Sequence, residues 1–363
     1  MHGVCTAQAH ANIALVKYWG KRSPDELNLP AAGSISLTVD RLITTTTVRF
    51  ACANGKKGDA LAGGGRNQDH NRDSFFLDGA EQHGERLAKI RRFLDLVRAR
   101  AGLDTPATVE STNSFPTASG LASSASAFAA LALAASSAAG LRLSSAELSV
   151  LARRGSGSAA RSVLGGFVEM LKGERADGTD ARATQLLSED AWDVRLVVAI
   201  VGHGGTKDTP STQGMRHTAM TSPLFEGWLA SVATDLDAAR QAIHRRQLSV
   251  LGEIAERSAL TMHASALAAR PGIVYFRGAT IEAVHAVRLL RRGGVEAYFT
   301  VDAGPHVKVL CEPGAASKVV ETLGAIPGVG RVLECRPGGG VRLLDESNTS
   351  TNTSTKNGPV GSA

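Results

Sequence analysis

A loop of small residues leads directly into an alanine-rich stretch, and its composition suits a bound phosphate. The loop contains Pro116, Thr117, Ser119, Gly120, Leu121, Ala122, Ser123 and Ser124. Because residues 127–139 are strong helix formers, the loop is expected at a helix N-terminus, where free N–H groups and the helix dipole attract anions. Hydroxyls of Ser119, Ser123 and Ser124 can contact phosphate oxygens or a magnesium ion. A small-residue helix packed against a sheet is the structural alternative.

Two common nucleotide-binding patterns do not fit the chain. A Walker A loop requires Gly-Lys followed by Ser or Thr, and neither Gly20-Lys21 nor Gly55-Lys56 is followed by one. Residues 155–160, GSGSAA, match a dinucleotide-binding pattern in their spacing. They follow a helical pattern instead of a strand, so we reject a Rossmann turn there.

The segment NIALVKYWGK, residues 12–21, could bind a diphosphate. Lys17 and Lys21 are four residues apart, which places them on one side of either a strand or a helix. Two cations beside the Tyr18 hydroxyl would form charge-assisted hydrogen bonds with a diphosphate. A solvated charged face is the alternative.

Two further segments each combine a charged side chain with glycines. In RRGSGSAARS, residues 153–162, Ser158 and Arg161 share a face if a helix resumes at Ser158, and Arg161 could fork onto a carboxylate. In YFTVDAGP, residues 298–305, Asp302 follows a strand and precedes a Gly-Pro turn, where catalytic groups are often placed. A surface salt bridge and a turn aspartate are the respective alternatives.

The elements that must position these segments alternate between strands and helices. Strands are predicted at 34–39, 42–50, 75–77, 108–112, 167–170, 196–201, 297–301 and 307–311. Helices are predicted at 85–101, 127–139, 144–153 and 222–260. Ser144 and Glu147 form a capping box at the start of the third helix. The polar, glycine-rich residues 51–73 are predicted to form a surface loop.

Composition limits the class of protein. A chain of 363 residues usually forms one large or two medium domains, and 43% hydrophobic with 20% charged residues is typical of a globular protein. No apolar run is long enough to span a membrane. Without a CxxC motif, the cysteines are expected to be reduced and mostly buried, as in a cytoplasmic protein. They are Cys5, Cys52, Cys311 and Cys335.

The net charge of +6 and a pI of about 9.3 suit a protein that binds anionic substrates. The basic residues are scattered, and no basic run is interleaved with aromatic residues, so nucleic-acid binding is not expected. The basic pairs at 91–92 and 291–292 are predicted to lie on solvated helix faces.

Five stretches together resemble the diphosphomevalonate decarboxylase family. They are NIALVKYWGKR, SFPTASGLASSASAF, ARRGSGSAARS, STQGM and YFTVDAGPHVKVL, in the family's order between about residue 6 and about residue 336. Related sugar and mevalonate kinases share the phosphate loop but lack the other motifs. One departure is His306, which follows DAGP where an asparagine is common.

The resemblance implies an α+β architecture, the GHMP-kinase fold. An N-terminal ribosomal-S5-like domain would span residues 1–188 and a C-terminal ferredoxin-like domain residues 189–340, with the active site in the cleft between them. Residues 341–363 would form a disordered tail. The implied activity is ATP- and Mg²⁺-dependent decarboxylation of mevalonate 5-diphosphate to isopentenyl diphosphate, in a homodimer.

The resemblance also implies residue roles. Asp302 would orient or deprotonate the 3-hydroxyl, Arg161 would hold the substrate carboxylate, Lys17 would lie near the reacting hydroxyl, and Ser124 would lie nearest the transferred phosphate and Mg²⁺. The residues implied to bind the substrate are Asn12, Tyr18, Lys21, Ser156, Ser158, Ser211 and Thr212. The small-residue loop, from Pro116 to Ser124, would cradle the ATP phosphates.

Three other functions are compatible with this fold. A mevalonate-type 3-kinase would stop at the phosphorylated acid, and a sensor would bind ligand without turnover; Asp302 and Arg161 argue against both. A decarboxylase of mevalonate 5-phosphate is disfavoured by the Lys17 and Lys21 cations and by Ser211.

Overall fold

The computed structural model describes residues 3–22, 27–51, 72–115, 123–202 and 209–345. Two β-sheets and the helices that cover them make up this part of the chain, which confirms the α+β class. Most of the predicted loop at 51–73, and loop residues 116–122, lie outside the described residues.

The strands, in chain order, are β1 (Val4–Val16), β2 (Ser34–Phe50), β3 (Ser74–Leu77), β4 (Ala80–Glu81), β5 (Ala107–Asn113), β6 (Phe167–Met170), β7 (Ala183–Leu187), β8 (Arg195–Val201), β9 (Ala297–Val301), β10 (Val307–Cys311), β11 (Val329–Cys335) and β12 (Arg342–Leu344). The α-helices are α1 (Gly84–Ala101), α2 (Ser123–Ala138), α3 (Ser145–Gly155), α4 (Ser211–Thr221), α5 (Phe225–His244), α6 (Leu248–Leu267), α7 (Gly278–Arg292) and α8 (Ala316–Gly324). Short 3₁₀-helices cover Gly157–Val163 and Pro313–Ala315. All eight predicted strands are confirmed, the first two as one continuous strand.

The first sheet is organised around the long strand β2. One edge of β2 pairs with β1, and its other edge pairs with β6 near its start and with β5 near its end. Burial alternates along its four consecutive threonines, residues 44–47, and the buried hydroxyls of Thr44 and Thr46 bond to Ser126 of α2 and Ser111 of β5. The Thr44–Ser126 bond fixes the start of α2 against the sheet, and the Thr46–Ser111 bond joins β2 to β5.

The second sheet has the order β11-β8-β10-β9 and is antiparallel throughout. Strand β10 alternates between two environments: Val307, Val309 and Cys311 join the core under α7 and α8, whereas Leu310 joins the core under α5 and α6. That second core also includes Ile13 of β1, so it joins the two sheets. Residues contributed by both halves of the chain are therefore held in one packed unit.

The local start signal of α3 is confirmed. The Glu147 backbone N–H donates to Ser144 Oγ at 3.3 Å, and the Ser144 backbone N–H donates to Glu147 Oε2 at 3.0 Å. Helix α3 ends at Gly155, and a 3₁₀-helix then begins at Gly157. The predicted interruption near residues 155–157 is therefore present.

Two sequence predictions are wrong in extent. The single helix predicted at 222–260 is broken into α5 and α6, and Arg246 in the connection has φ 53°, which no helix can accommodate. The break lets α6 pack against α5. The predicted disordered tail from residue 341 contains β12, because the edge of β1 offers backbone hydrogen bonds to it, with Thr6 opposite Leu344. Residues 346–363 lie outside the described residues.

The chain leaves the first sheet after Leu187, enters the second at Arg195, and returns to the first with β12. Among the described residues, none of the helices has the length and hydrophobicity required for a membrane span.

Candidate active site

A cavity of about 1140 Å³ collects the predicted site residues that the structure describes. They are Asn12, Lys17, Tyr18, Lys21, Ser123, Ser124, Ser156, Ser158, Arg161, Ser211, Thr212 and Asp302. The remaining predicted residues, which lie outside the described part, are Pro116, Thr117, Ser119, Gly120, Leu121 and Ala122. Segments more than a hundred residues apart in sequence therefore meet at one site.

Asp302 lies immediately after β9 and is held by two lysines. Lys17 Nζ lies 2.7 Å from its Oδ1, and Lys308 Nζ lies 2.8 Å from its Oδ2. The two lysine side chains are almost fully buried, whereas the Asp302 side chain is 26% exposed toward the cavity. Burial raises the pKa of the Asp302 carboxyl, but the two lysines outweigh it and hold the pKa well below its usual range.

Lys17 follows the end of β1 and contacts both halves of the molecule. Its Nζ also donates to the Ala14 carbonyl at 2.8 Å, and its backbone N–H donates to Ser258 Oγ of α6 at 3.0 Å. Burial lowers the pKa of Lys17 to about 8, although the Asp302 charge opposes this shift. Lys17 is therefore an ammonium group that can lose its proton just above neutral pH.

Arg161 lies in the 3₁₀-helix and is 1% exposed. Its Nε donates to Asn12 Oδ1 at 3.2 Å and to Ser36 Oγ at 2.9 Å, and its Nη1 donates to Ser34 Oγ. Burial lowers the pKa of Arg161 to about 10, so the side chain remains a cation near neutral pH. Within the described part of the chain, Arg161 has no carboxylate in salt-bridge contact. Its charge is available to an anion that enters the cavity.

Asn12 positions Arg161, and both the oxygen and the nitrogen of its side-chain amide are hydrogen-bonded within the protein. Besides accepting from Arg161, it donates from Nδ2 to the Ser158 carbonyl at 2.9 Å and to Ser162 Oγ at 2.8 Å. These contacts connect β1 to the 3₁₀-helix that carries Arg161. The amide of Asn12 thus sets the orientation of the guanidinium.

The two glycines of the GSGS segment allow close packing around the cavity. A Cβ at Gly157 would collide with the Tyr18 hydroxyl, and one at Gly155 would collide with the Phe128 ring of α2. The rejected dinucleotide pattern thus has a different physical origin. Ser156 Oγ lies 3.2 Å from Ser124 Oγ, at the start of α2, so the segment and the helix N-terminus form one polar wall.

Several residues at the site were not predicted from the sequence. Helix α1 contributes Lys89 and Arg92 to the cavity wall, although the 91–92 pair is predicted above to be a solvated face. Burial lowers the pKa of Lys89, with Lys21 as the next cause. The sequence could have indicated Lys308, because it is the charged residue in the otherwise apolar strand β10. Ser34 and Ser36 have no signal beyond the strand pattern.

The cavity carries an excess of positive charge. Its described wall contains six basic side chains, Lys17, Lys21, Lys89, Arg92, Arg154 and Arg161, and two acidic ones, Glu85 and Asp302. The N-terminus of α2 adds its dipole at Ser123 and Ser124. Such a wall suits polyanionic ligands.

Comparison with known proteins agrees with the geometry. A family model described as the diphosphomevalonate decarboxylase-like N-terminal domain matches residues 9–183, and the mevalonate 5-diphosphate decarboxylase C-terminal domain matches residues 196–338. The diphosphomevalonate decarboxylase of Aspergillus fumigatus is 36% identical over 335 residues, covering 89% of this chain and 80% of the relative. The human diphosphomevalonate decarboxylase is 36% identical over 323 residues, covering 84% of this chain and 76% of its own.

Solved structures show the same fold. Mevalonate diphosphate decarboxylase from Staphylococcus aureus superposes with a TM-score of 0.85 at 37% identity, covering 95% of this chain and 99% of its own. A structure described as MDDEF in complex with MVAPP, AMPPCP and magnesium has a TM-score of 0.83 at 39% identity, covering 94% of this chain and 99% of its own. The expected GHMP-kinase type of α+β fold is thereby confirmed. Taken with the two family models, these likenesses show that the chain belongs to the diphosphomevalonate decarboxylase family.

Proposed function

We propose that this protein catalyses the ATP-dependent decarboxylation of mevalonate 5-diphosphate to isopentenyl diphosphate, with ADP, phosphate and CO₂ as the other products. One observation carries the proposal. A buried arginine without a carboxylate partner among the described residues, Arg161, lines the same cavity as the Asp302–Lys17 pair and the serines at the start of α2. A carboxylate, a hydroxyl and a transferable phosphate can each find a matching group there.

The reaction needs a better leaving group than a tertiary hydroxyl, and phosphorylation of that hydroxyl supplies one. Loss of the phosphate develops positive charge at C3, and the electrons of the breaking C–CO₂ bond form the new double bond. Asp302 is held as an anion, so it accepts a hydrogen bond from the 3-hydroxyl and favours the developing positive charge. Its low pKa makes it a weak base, so orientation and charge are its main contributions.

Arg161 binds the substrate carboxylate, where the planar guanidinium can form two parallel hydrogen bonds. Asn12 and Ser36 share the Nε proton and Ser34 takes one Nη1 proton, so the second Nη1 proton and those of Nη2 remain for the ligand. Fixing the carboxylate aligns the bond that breaks with the C3 centre.

The diphosphate of the substrate contacts Lys21, the Tyr18 hydroxyl, and Ser211 with Thr212 at the start of α4. A diphosphate carries more charge than a monophosphate, so these contacts favour the 5-diphosphate.

The cavity fits ATP with Mg²⁺. Ser123 and Ser124 begin α2, and Lys89, Arg92 and Arg154 supply positive charge for the phosphates. Among the described residues there is no group of three or more His, Cys, Asp or Glu that could hold a metal ion. Ser124 Oγ would be the side-chain ligand for Mg²⁺. When bound, the ion would supply positive charge to stabilise the transferring phosphate.

The proposal extends to the assembly and location of the protein. We place it in the cytoplasm as a homodimer, because the cysteine pattern favours the cytoplasm and the family resemblance implies a homodimer. Sedimentation equilibrium of the purified chain tests the dimer: a single monomeric species across micromolar concentrations contradicts it.

One assay tests the reaction. The protein is incubated with ATP, Mg²⁺ and mevalonate 5-diphosphate, and ADP and CO₂ are measured together. Equal amounts of both are expected. ADP with a stable phosphorylated acid and no CO₂ identifies a 3-kinase. Equal efficiency with the 5-monophosphate would contradict the assignment of Tyr18, Lys21 and Ser211 to the diphosphate.

A further inference from the structure

Lys308 occupies an unusual position for a charged residue. It is the second residue of β10, opposite Thr300 of β9 and Val198 of β8, and is 2% exposed. Its neighbours Val307 and Val309 face the opposite, apolar core. Lys308 does not line the cavity, so it does not reach a bound substrate. A buried lysine in this strand would be costly without its partner, Asp302.

The two oxygens of Asp302 are divided between two lysines. Oδ1 faces Lys17 and Oδ2 faces Lys308, at almost equal distances. Lys17 is therefore not the sole counter-charge of the carboxylate, and its proton is less firmly committed to Asp302 than in an isolated pair. The Lys308 charge also contributes to the lowered pKa of Lys17.

We propose that Lys308 is a positioning residue for this site, which fixes the plane of the Asp302 carboxylate and keeps it ionised, while leaving Lys17 free to face the substrate. The effect on turnover rests on the proposed function. The contacts do not depend on it: they join Asp302, after β9, to Lys17, after β1, and to Lys308 of β10.

The other charged groups around Asp302 do not replace Lys308. Arg161 acts on Asp302 through space, and its hydrogen bonds go to Asn12 and the two serines. His263 of α6 has its pKa lowered to about 4, mainly by burial, so it is neutral at working pH. Its Nε2 contacts the Val301 carbonyl at 3.3 Å. Lys17 is the remaining cation, and one lysine leaves Oδ2 without a partner.

The first test is the pH profile of turnover for Lys308→Met, measured against wild type. Turnover falls at low pH as Asp302 is protonated. Without Lys308, the pH of half-maximal turnover on this acidic side, the acid limit, should rise by about 1–3 pH units, the range expected for loss of a close opposite charge. The basic limit, set by Lys17, should move up as well, though less. A uniform loss of turnover with unshifted limits would mean a purely structural role and would overturn the proposal.

Two matched variants isolate the charge. Lys308→Arg keeps the positive charge, so the acidic and basic limits of its pH profile of turnover should match those of the wild type. Lys308→Gln keeps a hydrogen-bond donor of similar length without the charge, and should shift like Lys308→Met; it also serves if the methionine variant fails to fold. Circular dichroism and thermal melting verify folding of each. A shift in Lys308→Arg as large as in Lys308→Met contradicts the inference.

A second test needs no turnover. In protein labelled with ¹³C at the aspartate carboxyls, the Asp302 signal is identified by its loss in Asp302→Asn. Without substrate, the midpoint of the titration of this carboxyl should lie at clearly higher pH in Lys308→Met than in the wild type. Identical titrations would overturn the inference even in an active enzyme. The expected shift in an inactive protein would sustain the arrangement and count against the proposed function alone.

Discussion

Two buried arginines in consecutive helical segments have very different surroundings. Arg153 of α3 and Arg161 of the following 3₁₀-helix are both almost inaccessible, and burial lowers the pKa of each to about 10. Arg153 donates to the carbonyls of Leu27, Gly178 and Ala181, and it does not line the cavity. Arg161 donates to hydroxyls and an amide, and it lines the cavity.

The difference shows that burial of a cation does not by itself indicate a binding site. Neither arginine has a carboxylate in salt-bridge contact within the described ranges. Arg153 is enclosed by backbone carbonyls, so its hydrogen bonds hold two loops together and contribute to stability. Arg161 is held by side chains from one side and faces a cavity from the other, so its charge is kept for a ligand. We therefore expect the enclosed arginine to govern stability and the cavity-facing arginine to govern turnover.

The largest effect is expected for Asp302, a cavity-facing charge. Asp302→Asn keeps the shape but removes the anion, and turnover should fall about 10³-fold or more, the upper part of the range for such groups. ATP affinity should change little, because the serines at the start of α2 are separate from Asp302. Single-turnover kinetics and nucleotide binding measure the two effects. If Asp302→Asn kept a tenth of wild-type turnover, Asp302 would have no catalytic role and would serve only as a turn residue.

The next effect concerns Arg161 and is a loss of function with little loss of stability. Arg161→Met removes two charge-assisted hydrogen bonds to the substrate carboxylate, each contributing roughly 1.5–3 kcal/mol, so kcat/KM should fall about 10²-fold or more. The melting temperature should fall less than in Arg153→Met, because the cavity gives water access to the hydroxyls and the amide that lose their donor. Arg161→Lys is the control, since it keeps the positive charge but loses the two parallel N–H donors of the guanidinium. Unfolding of Arg161→Met at moderate temperature would remove the contrast with Arg153.

Arg153→Met is expected to show the opposite pattern. Three carbonyls lose their donor, so the free energy of unfolding should fall by about 3 kcal/mol. Denaturant titration measures the loss. The folded fraction, assayed at low temperature, should keep its turnover within about twofold, because Arg153 lies outside the cavity wall. Full stability combined with lost turnover would show that the enclosed arginine acts on the chemistry.

The smallest effect is a pH dependence that distinguishes two cavity-facing cations. The folded-state pKa of Lys17 is lowered to about 8, so its charge is lost as the pH rises through that value. Arg161, with a pKa of about 10, stays charged over the same interval. Turnover should therefore decline above about pH 8, by tenfold per pH unit at its steepest. Turnover that stays constant up to pH 9.5 would show that Lys17 has no role as a cation. The residual turnover of Lys17→Met should not show the decline above about pH 8.

Much of the local structure could be predicted from the sequence. The capping box of Ser144 and Glu147, the alternation in β2, and the position of Asp302 at the end of a strand are set by neighbouring residues. Backbone preferences and hydrogen bonds within a few residues decide such features, so they are readable without the fold. The site residues could be named through family motifs, and the described ones line one cavity.

The contacts that give those residues their chemistry came from the tertiary structure. Lys17 and Asp302 are 285 residues apart, and nothing local indicates that they pair. The break at Arg246, the return of β12 to β1, and the enclosure of Arg153 likewise depend on packing between distant segments. Side-chain charge states depend on burial and on opposite charges within a few ångströms, and both arise only when the chain is folded. The amino-acid sequence by itself determined which groups are available; the tertiary structure decided which of them carry a free charge.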